Sequence, residues 1–366
     1  MPGVQKVIRG RGSLKRLPEM MEKTGIRTPL IVGGKVLTAG MMRNVPEMLS
    51  FAVFSGYHAN PDLDDAKEGL KLYQHFRCDG LISIGGGSCI DTAKAIKEQL
   101  IHDVGVVVPQ IAIPGTAGTG SEATQTAVVY INGMKKSLSR QELLPDGVIL
   151  DADLLDTLPV YHKKSSTLDA LSQGIESYWS RSATDDSKVH AFLAILGVLD
   201  NLKGYLAGDS HAAEEMLDAS FQSGKAINMT RTTAAHAMSY RLTKTLGIAH
   251  GHACMLTLPV LWEIMQESGK MNTLLDDLSS KIRMGDSRMV PKLLRGIMYD
   301  LDMVIPPVPD EETLQDLADS VNPERMSNHP LSMSSEEIKN VYRRAFAPPS
   351  NAERQVCLDI WRYYGR

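Results

Sequence analysis

Three of the ten histidines, His236, His250 and His252, fall within residues 232–259, TTAAHAMSYRLTKTLGIAHGHACMLTLP. Imidazole is the commonest metal ligand and the usual proton carrier near neutral pH. Residues 232–243 are small or helix-compatible, with no Gly or Pro, and predict a helix that Gly247 breaks. His236 and His250 are 14 positions apart, roughly 21 Å on a straight helix, too far to share an ion. If the chain doubles back near Gly247, both rings can face one point; otherwise they are unrelated, one buried and one in a loop. A carboxylate partner is available in residues 168–180, LDALSQGIESYWS, where Asp169 and Gln173 share a helix face. Asp169 has apolar neighbours, and a buried carboxylate is costly unless paired or bound to a cation. The plainer alternative is a carboxylate at a helix N-terminus, near Ser165, Ser166 and Thr167.

Such residues need a scaffold, and the chain divides into two kinds of sequence. Upstream of Leu158-Pro159, short apolar runs alternate with helical patterns. The runs are 28–33, ending at Gly33-Gly34, then 52–55, 81–84, 111–114 and 148–150, with a turn at Asn60-Pro61 and an amphipathic helix over 62–76. Segments 127–131 and 136–139 flank Asn132-Gly133, a hairpin signal. The run 81–84 enters Gly85-Gly86-Gly87-Ser88 and then a helix carrying Asp91 in its expected first turn. Strand, glycine turn and helix N-terminus present backbone N–H groups to an anion such as a pyrophosphate, although GxGxxG is absent. A second loop, GTAGTGSE at 115–122, offers Thr116, Thr119 and Ser121 as donors and acceptors. Downstream, residues 165–180, 185–205, 212–226, 231–243, 253–268, 270–283, 289–300, 311–320, 335–346 and 351–363 read as helices. The fold class is α/β plus all-α: a dinucleotide-binding domain over 1–158 and a helical domain over 159–366.

The 366 residues are 43% hydrophobic and 22% charged, with a formal net charge of −4, which argues against a nucleic-acid partner. The four cysteines show no CxxC pair, which fits a reducing compartment. The N-terminal charges have no apolar run behind them, and no stretch approaches the roughly 20 apolar residues of a membrane span. The expectation is a cytoplasmic protein without a membrane partner.

Taken in order, Gly85-Gly-Gly-Ser with Asp91-Thr-Ala-Lys, residues 114–122, Leu150-Asp-Ala-Asp, Leu168-Asp-Ala-Leu, and His236 with His250-Gly resemble the iron-containing (group III) alcohol dehydrogenases, whose fold is shared with dehydroquinate synthase. The resemblance spans nearly the whole chain. It implies a dinucleotide-binding domain, an all-helical domain, a divalent metal (Fe, Zn or Mn) in the cleft between them, and a homodimer. A finer resemblance, to phosphonoacetaldehyde reductases, rests on Lys135-Lys-Ser-Leu-Ser, Ile175-Glu-Ser-Tyr-Trp-Ser, and the stretches beginning at Thr232 and Gly251. It implies reduction of a small anionic aldehyde with NADPH or NADH. Sulfoacetaldehyde reductases and other short-chain alcohol dehydrogenases are the nearest alternatives, and a dehydroquinate synthase-type lyase is a more distant one.

Carried over residue by residue, the family's metal ligands correspond to Asp169, Gln173, His236 and His250. Gln173 stands where the family has an imidazole. A glutamine carbonyl suits Mg²⁺ or Mn²⁺ better than Zn²⁺ or Fe²⁺, so a homologue that binds nucleotide without catalysis is a further reading. Tyr240 replaces a histidine found in many relatives and is a candidate for proton relay. Gly34 and Lys35 occupy the turn where the family often has an NADPH-disfavouring Asp, which implies that NADPH is accepted. Gly115 replaces a usual Thr in the second loop. Lys136, Arg231, Arg241 and His252, with Asn228, Thr232 and Thr233 as neutral donors, are the candidates for holding an anionic substrate.

Overall fold

Short apolar runs at 30–32, 81–84 and 111–113 become buried strands that end on a glycine or a proline. The computed structural model describes residues 4–42, 50–59 and 61–364; Asn60, of the expected Asn60-Pro61 turn, lies outside them. The strands are β1 (Lys6–Arg9), β2 (Pro29–Gly33), β3 (Ala52–Phe54), β4 (Gly80–Gly85), β5 (Gln110–Pro114), β6 (Thr126–Ile131), β7 (Met134–Ser139) and β8 (Gly147–Leu150). Six form a parallel sheet in the order β1-β8-β5-β4-β2-β3, while β6 and β7 make an antiparallel hairpin closed by Asn132 and Gly133. From β2 the chain moves outward to β3. From β4 it moves the other way, through β5 to β8. The reversal between β2 and β4 is where open α/β sheets take their ligands, beyond the carboxyl ends of the strands.

The α-helices among the described residues are α1 (Leu17–Thr24), α2 (Lys35–Met42), α3 (Leu63–His75), α4 (Gly87–Val104), α5 (Val160–Trp179), α6 (Asp185–Leu206), α7 (Ser210–Thr230), α8 (Ala234–Leu246), α9 (His250–Glu267), α10 (Asn272–Lys281), α11 (Val290–Asp300), α12 (Glu311–Asp319), α13 (Pro323–Met326), α14 (Ser335–Phe346) and α15 (Asn351–Tyr363). By length and composition α6 is apolar enough to cross a membrane, contrary to the sequence reading. Its Ala191, Ala194 and Ile195 are buried, and a Cβ on Gly174 of α5 would collide with Ile195 at 2.9 Å.

Residues 1–159 and 203–228 cluster as one compact unit, and 160–202 with 229–366 as a second. The sequence reading put 203–228 with the helical half. They group with the sheet because α7 lies backbone-to-backbone on the loop after β5. A Cβ on Gly224 would collide with the Gly120 carbonyl, and Gly120 has φ +58, which glycine alone adopts cheaply. Asn228 Oδ1 accepts from Gln125 N at 2.8 Å, and Arg9 pairs with Asp218 at 2.9 Å.

Lys94 of α4 fixes that same loop from below. Its buried ammonium donates to Ser121 O at 2.6 Å, Thr124 Oγ1 at 2.9 Å and Thr126 O at 2.9 Å. Burial pulls its pKa down to about 8, with Asp91 and Glu122 opposing, and burial pushes Glu122 up to about 7. A buried cation that satisfies three acceptors cannot be removed without stranding them. Lys94→Met should destabilise the sheet-containing unit by about 3–5 kcal/mol, measured by thermal unfolding.

Candidate functional site

The chemistry-bearing side chains of the helical unit meet because α9 presses onto α5. A Cβ on Gly251 would run into the Ser165 carbonyl and lie 2.6 Å from the Asp169 amide nitrogen. No larger residue permits that approach. The chain does turn back at Gly247, which has φ +66 and caps α8 in the left-handed region. Two boundaries differ from expectation. The helix expected over 231–243 begins at Ala234, leaving Thr232 and Thr233 ahead of it. His250, expected in a loop, is the first residue of α9. Ala249 precedes it with no side-chain cap, so the sequence carried no start signal there.

Asp169 of α5, His236 of α8, and His250 and Cys254 of α9 each bring one ligand atom to a common point, all within 4.8 Å of one another. Asp169 Oδ1 is 3.2 Å from His236 Nε2 and 3.9 Å from His250 Nε2. Hydrogen bonds on the far side of each ring decide which nitrogen is bare. Glu176 accepts from Thr233 Oγ1 at 2.6 Å and Ala235 N at 2.8 Å, and its other oxygen takes the proton on His236 Nδ1. Ser239 Oγ donates to His236 O at 2.8 Å, so it accepts from His250 Nδ1 at 3.1 Å. Both Nε2 atoms therefore face the Asp169 carboxylate. Positive charge stabilises such a cluster, whether it comes as a proton on His236 or as a bound ion, and the donor set fits a divalent ion. Burial works against charge here, yet Cys254, Glu176 and Asp169 hold His236 well above the usual histidine range. Burial raises the Cys254 thiol, but the two histidines pull it down to about 7. Burial likewise disfavours the Glu176 carboxylate, and His236 with the hydrogen bonds keeps its pKa low.

Glu176 and Cys254 had no role in the sequence reading. Glu176 follows Asp169 by seven positions on one helix, and Cys254 follows His250 by four, so both lay on faces already identified. Gln173 is buried one turn after Asp169. Tyr240 stacks on the His250 ring, 5.6 Å between centroids and 7° between planes. Its hydroxyl accepts from Arg325 Nη1 of α13 at 2.6 Å, with the guanidinium 4.8 Å from the ring centroid.

The other substrate candidates are scattered. Arg241 forms an ion pair with Asp316 at 2.7 Å on a half-exposed face. Arg231 is exposed, with φ 60. His252 is buried; its Nδ1 meets the Tyr161 hydroxyl at 3.2 Å, and its Nε2 has no hydrogen-bond partner among the described residues. Lys136 is exposed on β7 of the other unit, and Asn228 is spent on Gln125.

The cofactor candidates converge at the sheet's reversal point. Gly34 and Lys35 follow β2, and Gly85, Gly86, Gly87 and Ser88 join β4 to α4. Gly115 N donates to Gly85 O at 2.9 Å, so the two glycine loops lie against each other. A Cβ on Gly115 would meet Leu37 at 2.9 Å, and one on Gly87 would meet Thr119 at 2.9 Å; one on Gly86 would lie 3.3 Å from Thr116. No side chain among the described residues caps the α4 N-terminus, which leaves an anion-binding helix end. Asp91 is the fifth residue of α4, past the first turn. Its carboxylate accepts from Ser121 Oγ and from Val128 N at 3.0 Å. Asp91 and Ser121 thus hold each other and shape the loop.

These arrangements have known counterparts. Residues 4–152 match the iron-containing alcohol dehydrogenase family model, and residues 164–346 match the C-terminal model of the Fe-containing alcohol dehydrogenase family. Lactaldehyde reductase of Escherichia coli K12 is 32% identical over 275 residues, covering 68% of this chain and 71% of that protein. An iron-containing alcohol dehydrogenase from Thermococcus thioreducens superposes with a TM-score of 0.84 at 26% identity, over 93% of this chain and 98% of that one. A sulfoacetaldehyde reductase from Bifidobacterium kashiwanohense, solved with NAD⁺, shares the fold with a TM-score of 0.85 at 24% identity, over 94% and 98%. The chain belongs to the iron-containing alcohol dehydrogenase family and is an oxidoreductase of the alcohol dehydrogenase and aldehyde reductase type.

Proposed function

We propose that this enzyme uses NAD(P)H and a divalent ion to reduce a short anionic aldehyde, with phosphonoacetaldehyde to 2-hydroxyethylphosphonate as the reaction that fits best. The observation that carries the reading is the meeting of Asp169, His236 and His250 beside a tyrosine that bears an arginine. When bound, the ion would supply Lewis-acid polarisation of the aldehyde oxygen and the dihydronicotinamide a hydride. Asp169, His236 and His250 would hold the ion, and Glu176 and Ser239 keep the two imidazoles in the tautomer that can bind it.

Reduction consumes one hydride and one proton per aldehyde. The Tyr240 hydroxyl, which accepts from Arg325 and whose ring stacks on His250, is the group placed to pass a proton to the developing alkoxide. Arg325 is the cation associated with this pair, and a guanidinium recognises phosphonate oxygens through forked, charge-assisted hydrogen bonds. Gly34 leaves the turn after β2 without a carboxylate, and its nearest neighbour to an added Cβ is the Tyr57 hydroxyl at 3.9 Å. That space and Lys35 suit a 2′-phosphate, which supports use of NADPH. The cytoplasm and a homodimeric state complete the proposal by family analogy.

The test is turnover of phosphonoacetaldehyde, sulfoacetaldehyde, lactaldehyde and propanal with each cofactor, after chelation and after return of Zn²⁺, Fe²⁺ or Mn²⁺. The expected result is metal-dependent turnover, highest kcat/KM for phosphonoacetaldehyde, and NADPH used at least as well as NADH. Propanal turned over as efficiently as the anionic aldehydes would refute the substrate class, and full activity after rigorous chelation would refute the metal's role.

Two variants sharpen this. Arg325→Ala should raise KM for phosphonoacetaldehyde about 10- to 100-fold, the worth of one charged hydrogen bond, and leave KM for propanal nearly unchanged. Glu176→Gln frees the His236 tautomer and should weaken metal binding about 10- to 100-fold, read by competition with a chromogenic chelator.

A further inference from the structure

We infer that Cys254 is a ligand of the metal ion, completing a site that Gln173 leaves short of one strong donor, and that its thiolate selects Zn²⁺ over Fe²⁺, Mn²⁺ or Mg²⁺. The inference rests on the metal-assisted reading only in requiring that an ion binds among these side chains. Bonds of about 2.0–2.3 Å to a tetrahedral zinc put neighbouring ligand atoms roughly 3.3–3.8 Å apart. Cys254 Sγ lies 3.9 Å from His250 Nε2, Asp169 Oδ1 lies 3.2 Å from His236 Nε2, and no pair in the foursome exceeds 4.8 Å. The four atoms are close enough together to contract onto one ion of that size.

The positions of the donors follow from helix geometry. His250 and Cys254 are four residues apart at the start of α9, so one helical turn presents an imidazole and a thiol on the same face. Gly251, between them, lets that face approach Asp169. The Nε2 atoms of both histidines lie toward Asp169 Oδ1, with their Nδ1 atoms engaged by Glu176 and Ser239. Cys254 is fully buried, so its sulfur meets this cluster and not solvent.

The donor set then decides the metal. Mg²⁺ and Mn²⁺ favour oxygen ligands and a coordination number of six, whereas a set of one sulfur, two imidazoles and one carboxylate is typical of zinc. A substrate oxygen would join as a fifth ligand, an expansion that catalytic zinc allows. Gln173, a weak donor toward zinc, is then not required in the coordination sphere.

Metal-stripped enzyme loaded stepwise with Co²⁺ reads the sulfur directly. The expected result is a near-ultraviolet sulfur-to-cobalt charge-transfer band that saturates at one cobalt per chain. The band should vanish in Cys254→Ser and persist in Cys357→Ser. Zinc should displace the cobalt from the wild type, and its affinity should drop at least about tenfold in Cys254→Ser, the lower end of losses seen for outer-shell partners. If Cys254→Ser fails to fold, X-ray absorption of the wild-type zinc enzyme gives the answer: a sulfur scatterer at about 2.3 Å supports the assignment. Cobalt bound without the charge-transfer band, or zinc surrounded by nitrogen and oxygen alone, overturns it. Metal-dependent turnover of anionic aldehydes without sulfur ligation would leave the functional reading standing and sink this one. Sulfur ligation without such turnover would do the reverse, and failure to bind any ion would sink both.

Discussion

The functional half of this protein depends on one close backbone approach, α9 against α5 at Gly251. Any side chain there would be driven into the Ser165 carbonyl and the Asp169 amide. That contact sets the position of His250 and Cys254 relative to Asp169, and the left-handed turn at Gly247 sets the direction from which α9 arrives. The side chains that gather at the centre are polar and mostly buried, an arrangement costly in desolvation that helix packing must support. The buried surfaces of α5, α8 and α9 provide that support: Leu168, Leu171 and Ile175 on α5, Met238 and Leu242 on α8, and Met255, Leu258 and Trp262 on α9 are all fully buried or nearly so. Apolar burial is non-directional and large, and it can hold a polar cluster in a geometry that the cluster alone would not adopt.

Within that frame, orientation is set one residue back from the centre. Trp179 donates to Thr233, Thr233 donates to Glu176, and Glu176 fixes His236. The chain of hydrogen bonds runs from an indole buried in the core to an imidazole at the site. Each member is satisfied, which is why four polar groups can be buried together at tolerable cost. The same logic shapes the other unit. Lys94 ties the loop after β5 to α4, and Asp91 and Ser121 close on each other, so the two glycine loops hold their form through side chains that do not need to touch a ligand.

What the sequence could convey follows from how local each signal is. The glycine turn after β4, the Asn132-Gly133 hairpin and the reversal at Gly247 depend on backbone conformations that few residues adopt, so they are visible in a few letters. Asp169, His236 and His250 were identifiable through the family pattern, and the structure brings them together. β1 was not legible because four residues with a charge at each end carry no strand period, and its pairing with β8 spans nearly the whole first unit. The start of α9 was missed for lack of a capping side chain, and α7 joined the sheet unit through a glycine–glycine contact that no periodicity encodes. Arg325 lies 85 positions from the tyrosine it touches, in a four-residue helix, whereas the nearer Arg241 is neutralised by Asp316. A cation's proximity in sequence says little about which anion it will meet.

The exchange of an imidazole for Gln173 and the presence of Cys254 are best understood together through charge. A divalent ion held by one carboxylate and three neutral imidazoles keeps a net positive charge, which itself attracts an anionic substrate. With a thiolate in place of one imidazole, the ion and its ligands sum to zero. Such a centre polarises a carbonyl less strongly and exerts little long-range pull on a phosphonate or sulfonate. Recognition of a charged tail must then come from fixed cations in the protein, and the guanidinium on Tyr240 stands next to the ring that stacks on a metal-site histidine. A neutral centre also avoids trapping the anionic group on the metal, where it would compete with the aldehyde oxygen. On this argument, the charge that would bind an anionic tail and the ion that would activate the carbonyl are separate groups, which would distinguish the two ends of such a substrate.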